Sequence, residues 1–465
     1  MLSNHLLVLF ILFCSSIGQF VQVNNAKELI DLFKDATGNT LQTDIEVTAD
    51  LDFSSSTLTL PLGAFSNGTC VAFSGVFQGN GHSIKGLKMD NTNNEGYNSS
   101  GLFCGLKSVT VENLVIDSSC SFTGHWAGVL SVSVTGSLTI KNTTNNADVN
   151  GRYRVGGLIG YVEGLEQGAV ISFEECVNHG VVNGSGNDIG GFAGIVHDST
   201  NISITITNSI NSANFIGSSN SVGGFVGAIY RNSQVAIAIF NSTFGGNING
   251  NGCTGGFVGY IGDNTNVNTT ISNSINNGNV TGSEDVGGFI GYISRNSNMN
   301  MTISNSINNG HVTSDGDYVG GFVGWISRNT NTAITLSSTI NNGNVIGGWS
   351  IVGGFVGNVW WANSMTMTIY NSINNGNIAG SDSVGGFVGW IDSQLMTLGI
   401  MNSANKGSVS AKQGMACGFV CVSTYNNKNV KTTIKNSINK GSVNAATYGY
   451  GITNNITEAR NVVSM

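Results

Sequence analysis

Between residues 301 and 317 the chain alternates and then turns. Apolar Met301, Ile303 and Ile307 are interleaved with polar Thr302, Ser304 and Ser306, the period-two pattern of a strand that buries one face. Asn308-Asn-Gly310 reads as a turn, Val312 restarts an extended segment, and Ser314-Asp-Gly-Asp317 turns again. There is no helical period here. Strand, turn, strand, turn describes one coil, and the same pattern recurs along most of the chain.

The recurrence is set by a hexad: Val155-Gly-Gly-Leu-Ile-Gly160, Ile189-Gly-Gly-Phe-Ala-Gly194, Val222-Gly-Gly-Phe-Val-Gly227, Thr254-Gly-Gly-Phe-Val-Gly259 and Val286-Gly-Gly-Phe-Ile-Gly291, then copies starting at Val319, Val352 and Val384. Successive copies are 34, 33, 32, 32, 33, 33 and 32 residues apart. A degenerate copy is Ala416-Cys-Gly-Phe-Val-Cys421, a weak early one is Trp126-Ala-Gly-Val-Leu130, and the series fades at Tyr448-Gly-Tyr-Gly-Ile452. A second motif keeps the same period, as in Asn273-Ser-Ile-Asn-Asn-Gly278 and Asn305-Ser-Ile-Asn-Asn-Gly310. Two phased motifs identify a repeat array. Stacked at about 4.8 Å, equivalent strands share backbone hydrogen bonds and align equivalent side chains in columns. Phe192, Phe225, Phe257, Phe289, Phe322, Phe355, Phe387 and Phe419 are expected to form one inward stack, with the flanking glycines leaving room for the rings. The glycines do not read as a phosphate loop, because neither a helix nor a Lys-Ser/Thr pair follows them.

The hexad resembles the GLUG repeat of secreted and cell-surface proteins. The stretch Phe73-Ser-Gly-Val-Phe-Gln-Gly-Asn-Gly-His-Ser-Ile-Lys-Gly-Leu87, followed by Ser100-Gly-Leu-Phe-Cys-Gly105 and Val111-Glu-Asn-Leu-Val115, is similar to the opening coils of pectin-lyase-like proteins. The resemblance covers about residues 20 to 450 and implies an all-β fold, a right-handed parallel β-helix of about 10–11 rungs. It implies little about activity, since one fold hosts many functions. The expected divisions are a signal peptide (1–18), an N-terminal cap with opening coils (19–150), the repeats (151–445) and a C-terminal cap or tail (446–465). Residues 25 to 36 read as a short capping helix: Asn25 is the N-cap, Glu28 completes a capping box, and Ala26, Leu29, Ile30 and Phe33 share a face.

Composition narrows the setting. With 66 Gly, one Pro, 9% charged and 40% hydrophobic residues, the chain is too apolar for disorder, and its polar surface must be built from Asn, Ser and Thr. A net charge of −8 without a basic stripe argues against nucleic acid as a partner. The apolar run Leu6 to Phe13, followed by small residues, reads as a signal peptide cut after Gly18; it is too short to span a bilayer, and no other segment reads as a transmembrane anchor. A secreted or surface location follows, and ten Asn-x-Ser/Thr sequons permit glycosylation there. Beyond Gly18 there are seven cysteines, so at least one is expected to be unpaired. Cys417 and Cys421, four apart on one extended strand, would lie about 13 Å apart and are expected not to pair.

The search for chemistry yields one column. His82, His125, His179, His197 and His311 fall in different rungs without shared spacing, and Asp188, Glu284, Asp285, Asp317 and Asp382 occupy turn positions where Asp is locally favoured. No catalytic residue, metal or cofactor is predicted. The residue after each hexad is Tyr161, Ile195, Ala228, Tyr260, Tyr292, Trp325, Asn358, then Trp390, with Trp360 and Trp361 just past the exception. Alternation puts this column opposite the Phe stack, so Tyr260, Tyr292, Trp325, Trp360 and Trp390 are expected to face outward, with Arg231, Arg295 and Arg328 beside them. Such a strip suits a carbohydrate or a cell-surface protein. The expected role is adhesin-like presentation of a binding surface; a carbohydrate-active hydrolase or lyase is the alternative, and a structural coat or matrix protein the third reading.

Overall fold

The computed structural model describes residues 20–422, apart from 35, 37, 95–96, 217–219 and 350, and then 430–446, 448–450, 458–460 and 463–464. Residues 1–19, which include the expected signal peptide, and most of 446–465 lie outside the described residues.

Among the described residues a single helix, Ala26–Lys34, opens the fold. Asn25 caps it by accepting a hydrogen bond from the Glu28 backbone N–H at 3.0 Å, while the Glu28 carboxylate accepts one from the Asn24 N–H at 2.9 Å. Its apolar face, Ala26, Leu29 and Phe33, is buried, and the Phe33 ring lies 6.2 Å from that of Phe73 and 5.6 Å from that of Phe103. The first coil is thereby plugged.

The rest is a right-handed parallel β-solenoid of about twelve turns: two sheets of 12 strands, one of 14 and one of 25. This is slightly more than the hexads suggest, because the opening coils contribute full turns in the same register, Ala127 opposite Val155 and Trp126 opposite Ser99. One turn comprises Asp285–Gly287, Ile290–Ser294, Ser297–Ser304, Ile307–Asn308 and Val312–Ser314. Two of its corners are single residues with left-handed backbone, Arg295 (φ 53°) and Asn305 (φ 49°), a conformation that Asn tolerates better than most residues.

The hexad is itself a corner, and this changes the meaning of its glycines. The strand ending at Gly287 and the strand starting at Ile290 meet at a crease, with Phe289 at the bend and fully buried. A Cβ on Gly287 would lie 1.9 Å from the Ile290 carbonyl oxygen, one on Gly288 2.2 Å from the Gly321 oxygen, and one on Gly291 2.5 Å from the Thr254 nitrogen. Backbone, not the phenylalanine ring, excludes side chains here. The same crease corrects the cysteine expectation: Cys417 and Cys421 do form a disulfide, with Cα atoms 5.6 Å apart, because the hexad folds back at Gly418-Phe419 instead of running straight. A second disulfide joins Cys70 to Cys104 across one turn, while Cys120, Cys176 and Cys253 are free.

The interior is held by columns. The eight hexad phenylalanines are all fully buried, with ring centroids 4.5 Å apart between Phe257 and Phe289 and 4.8 Å between Phe289 and Phe322. Beside them runs a buried amide ladder: each Nδ2 donates to the Oδ1 of the asparagine one turn on, through Asn276, Asn308, Asn341, Asn374, Asn405 and Asn439, at 2.7–2.8 Å. A polar group buried this deeply requires a partner, and the repeat supplies one to each member.

Candidate aromatic strip and its surroundings

The strands after the crease display their outward residues in register. Tyr260 pairs with Tyr292, Tyr292 with Trp325, Trp325 with Asn358, and Asn358 with Trp390. Tyr260, Tyr292, Trp325, Trp360 and Trp390 are half-buried on this face, opposite the fully buried phenylalanines. The ring centroids of Tyr292 and Trp325 are 4.5 Å apart and within 7° of parallel; those of Tyr260 and Tyr292 are 5.5 Å apart.

At the next turn the ladder shifts sideways. Asn358 is only 2% exposed, and the ring nearest Trp325 in that turn is Trp360, at 6.0 Å. Trp360 in turn lies 5.0 Å from Trp361, whose side chain is 53% exposed. Trp390 is two turns beyond Trp325, with Asn358 between them. Two rings that the column pattern does not reveal join the strip: Tyr230, 6.1 Å from Tyr260, and Tyr318, which comes from the strand before the crease and reaches to 4.6 Å from Trp325. They belong to neighbouring columns, and only the two-residue offset on one face and the fold of the crease bring them in. From Tyr230 to Trp361 the rings cover five turns, about 19 Å along the axis.

Arginines border the strip at the left-handed corner. The Arg328 guanidinium lies 5.2 Å from the centre of the Trp360 ring and that of Arg231 4.6 Å from the Tyr230 ring, within reach of a cation–π attraction. Arg295 instead approaches the Asp263 carboxylate, at 4.0 Å. Burial raises the hydroxyl pKa values of Tyr260 and Tyr292 above the usual phenol value; Tyr260 also hydrogen-bonds Asp263 at 3.2 Å and Tyr292 bonds Ser327 at 2.7 Å. Beneath the rings, Trp325 Nε1 and Asn358 Oδ1 are buried without hydrogen-bond partners.

The candidate turn carboxylates differ in their settings. Glu284, Asp317 and Asp382 are exposed. Asp285 departs from its expected turn role: it is buried at the crease, and burial followed by the charges of Glu284 and Asp317 holds its pKa well above the ordinary carboxylate range. Asp188, three turns from Asp285 by its repeat position, is half-buried and pushed up to about 6 by burial, against the pull of Arg154. His82, His125, His179 and His311 each meet different partners, Asp50, Asn98, Ser212 and the Asn344 backbone. A cavity of about 590 Å³ lies between the N-terminal helix and residues 55–65, away from the strip.

No family model matches the chain. A 98-residue stretch, 21% of the chain, is 40% identical to halomucin of Haloquadratum walsbyi, and the match spans 1% of that much longer protein. Among solved structures, a Bacteroides ovatus protein provisionally named an immunoglobulin A1 protease aligns over 96% of this chain and 85% of its own, at 16% identity and a TM-score of 0.26; a likeness this loose carries no functional argument. Among the described residues no helix is long and apolar enough to cross a membrane.

Proposed function

We propose that this chain is a non-catalytic, surface-displayed solenoid of GLUG type whose aromatic strip binds carbohydrate in an adhesin-like role. The observation that carries the reading is the in-register run Tyr260, Tyr292 and Trp325, half-buried and stacked on the outer face. A contiguous outward row of rings is an apolar stripe that soluble proteins seldom leave without a partner. Sugar faces stack on such rings. Likeness to a stretch of halomucin supports an extracellular setting. A protein ligand on the same strip is the second reading, favoured by Arg328 and Arg231 at its edge.

The test applies the purified chain to a glycan array while a reducing-sugar assay runs on the glycans that bind. Retention of specific glycans without release of reducing ends supports the proposal. Turnover of a bound glycan would replace it with a carbohydrate-active enzyme, and no retained glycan would remove carbohydrate as the ligand.

A further inference from the structure

Nearer the N-terminus the same outward face carries a different chemistry. Glu163 ends the strand Ile159–Glu163, His197 ends the equivalent strand one turn on, and the two are paired in register. Asp198 follows at the left-handed corner, φ 50°. One potential ligand atom from each of the three lies within 4.8 Å of the others. His197 is 3% exposed, its Nδ1 lies 2.8 Å from an Asp198 carboxylate oxygen, and its Nε2 has no hydrogen-bond partner. That Nε2 faces Glu163 Oε2 at 3.6 Å.

This separation is too long for a hydrogen bond. It is close to the spacing of two ligands on one small cation: atoms about 2.0–2.2 Å from a tetrahedral metal stand roughly 3.4 Å apart. With Nδ1–H donated to Asp198, the lone pair sits on Nε2 and points at the gap. A carboxylate that fixes the tautomer and the ring plane of a ligating histidine is a recurring arrangement in metal sites. One imidazole with carboxylates suits a borderline first-row cation better than Ca²⁺ or Mg²⁺. We infer that Glu163 and His197, oriented by Asp198, form a binding site for a divalent transition cation of the Zn²⁺ type, with water completing the coordination.

Two arginines set the competition. The Arg154 guanidinium stands 3.6 Å from the same Glu163 oxygen, and that of Arg231 is 3.8 Å from Asp198. Arg154 lies over the Tyr161 ring and is partly exposed, so it can leave Glu163 when a cation enters. The metal and Arg154 therefore compete for one carboxylate.

The experiment titrates Zn²⁺ into the chelator-stripped full chain by calorimetry at pH 7.5, with Co²⁺ absorption as a check on coordination geometry. One equivalent is expected to bind, with tetrahedral Co²⁺ bands. Glu163→Gln, a surface change that leaves the core untouched, is expected to weaken binding at least tenfold, Asp198→Asn by about 10–100-fold, and His197→Gln to abolish it. Arg154→Gln is expected to tighten it. No binding in the stripped chain, equal binding in Glu163→Gln, or weaker binding in Arg154→Gln would overturn the site and leave His197 as a buried ion-pair partner.

Discussion

The side-chain amide of Asn308 donates to Asn341 Oδ1 at 2.7 Å, and both residues are completely buried. The next residue runs the other way: Asn342, on the surface, donates back to Asn309 at 2.8 Å. One Asn-Asn-Gly turn thus serves two ladders, one inside the solenoid and one outside. The inner ladder accounts for the second motif of the repeat, since a buried amide needs a hydrogen-bond partner and the amides of the adjacent turns supply one.

Asn341→Ala breaks that chain. Asn308 loses one of its two acceptors, keeping the Gly310 carbonyl, Asn374 loses the donor 2.8 Å away, and the Gly343 carbonyl loses its 2.9 Å bond. Each buried group left unpaired costs about 1–3 kcal/mol, so the expected loss is about 3 kcal/mol or more in denaturant unfolding. A loss under about 1 kcal/mol would mean that water reaches the ladder.

Phe289→Ala removes a ring held between Phe257 and Phe322 at 4.5 and 4.8 Å. Truncating a fully buried aromatic costs about 3–5 kcal/mol. Chemical denaturation of the variant checks the value, and a change below about 1 kcal/mol would contradict the inward assignment of the whole column.

Asp285→Asn tests the crease electrostatically. The folded state holds the Asp285 pKa above its unfolded value, chiefly through burial and then through Glu284 and Asp317. A raised carboxyl contributes stability that is present below the unfolded pKa, about 4, and is lost as pH rises through the folded value. The variant is therefore expected to melt higher than the parent at pH 8, with the gain shrinking toward pH 4. Melting curves at the two pH values decide, and a gain that grows on acidification would reverse the sign.

How much of this was legible beforehand depended on whether a feature obeys the repeat. The hexads set the register, since a spacing of 32 to 34 residues is one turn, and Asn25 with Glu28 marked the helix start. The crease was not legible. A glycine reads alike whether it makes room for a ring or for a backbone, and only the carbonyl 1.9 Å from a Cβ on Gly287 tells them apart. Missing the bend misplaced Cys421 relative to Cys417 and hid the approach of Tyr318 to Trp325. The aromatic column was legible as a register, but its half-burial was not. His197 was set aside with the other histidines and Glu163 was not singled out, because they are 34 residues apart, although that separation is one turn and so places them side by side.

The central claim, that the outer rings bind rather than support, is tested most directly by the double variant Tyr292→Ala, Trp325→Ala, measured for glycan or cell-surface binding and for its thermal midpoint. The two rings stack on each other at 4.5 Å on the half-exposed face, not in the phenylalanine core. Binding is expected to fall at least tenfold while the midpoint moves by no more than about 5 °C. Unchanged binding would contradict the account, and so would a fall in midpoint as large as that of Phe289→Ala, which would make the ladder part of the core.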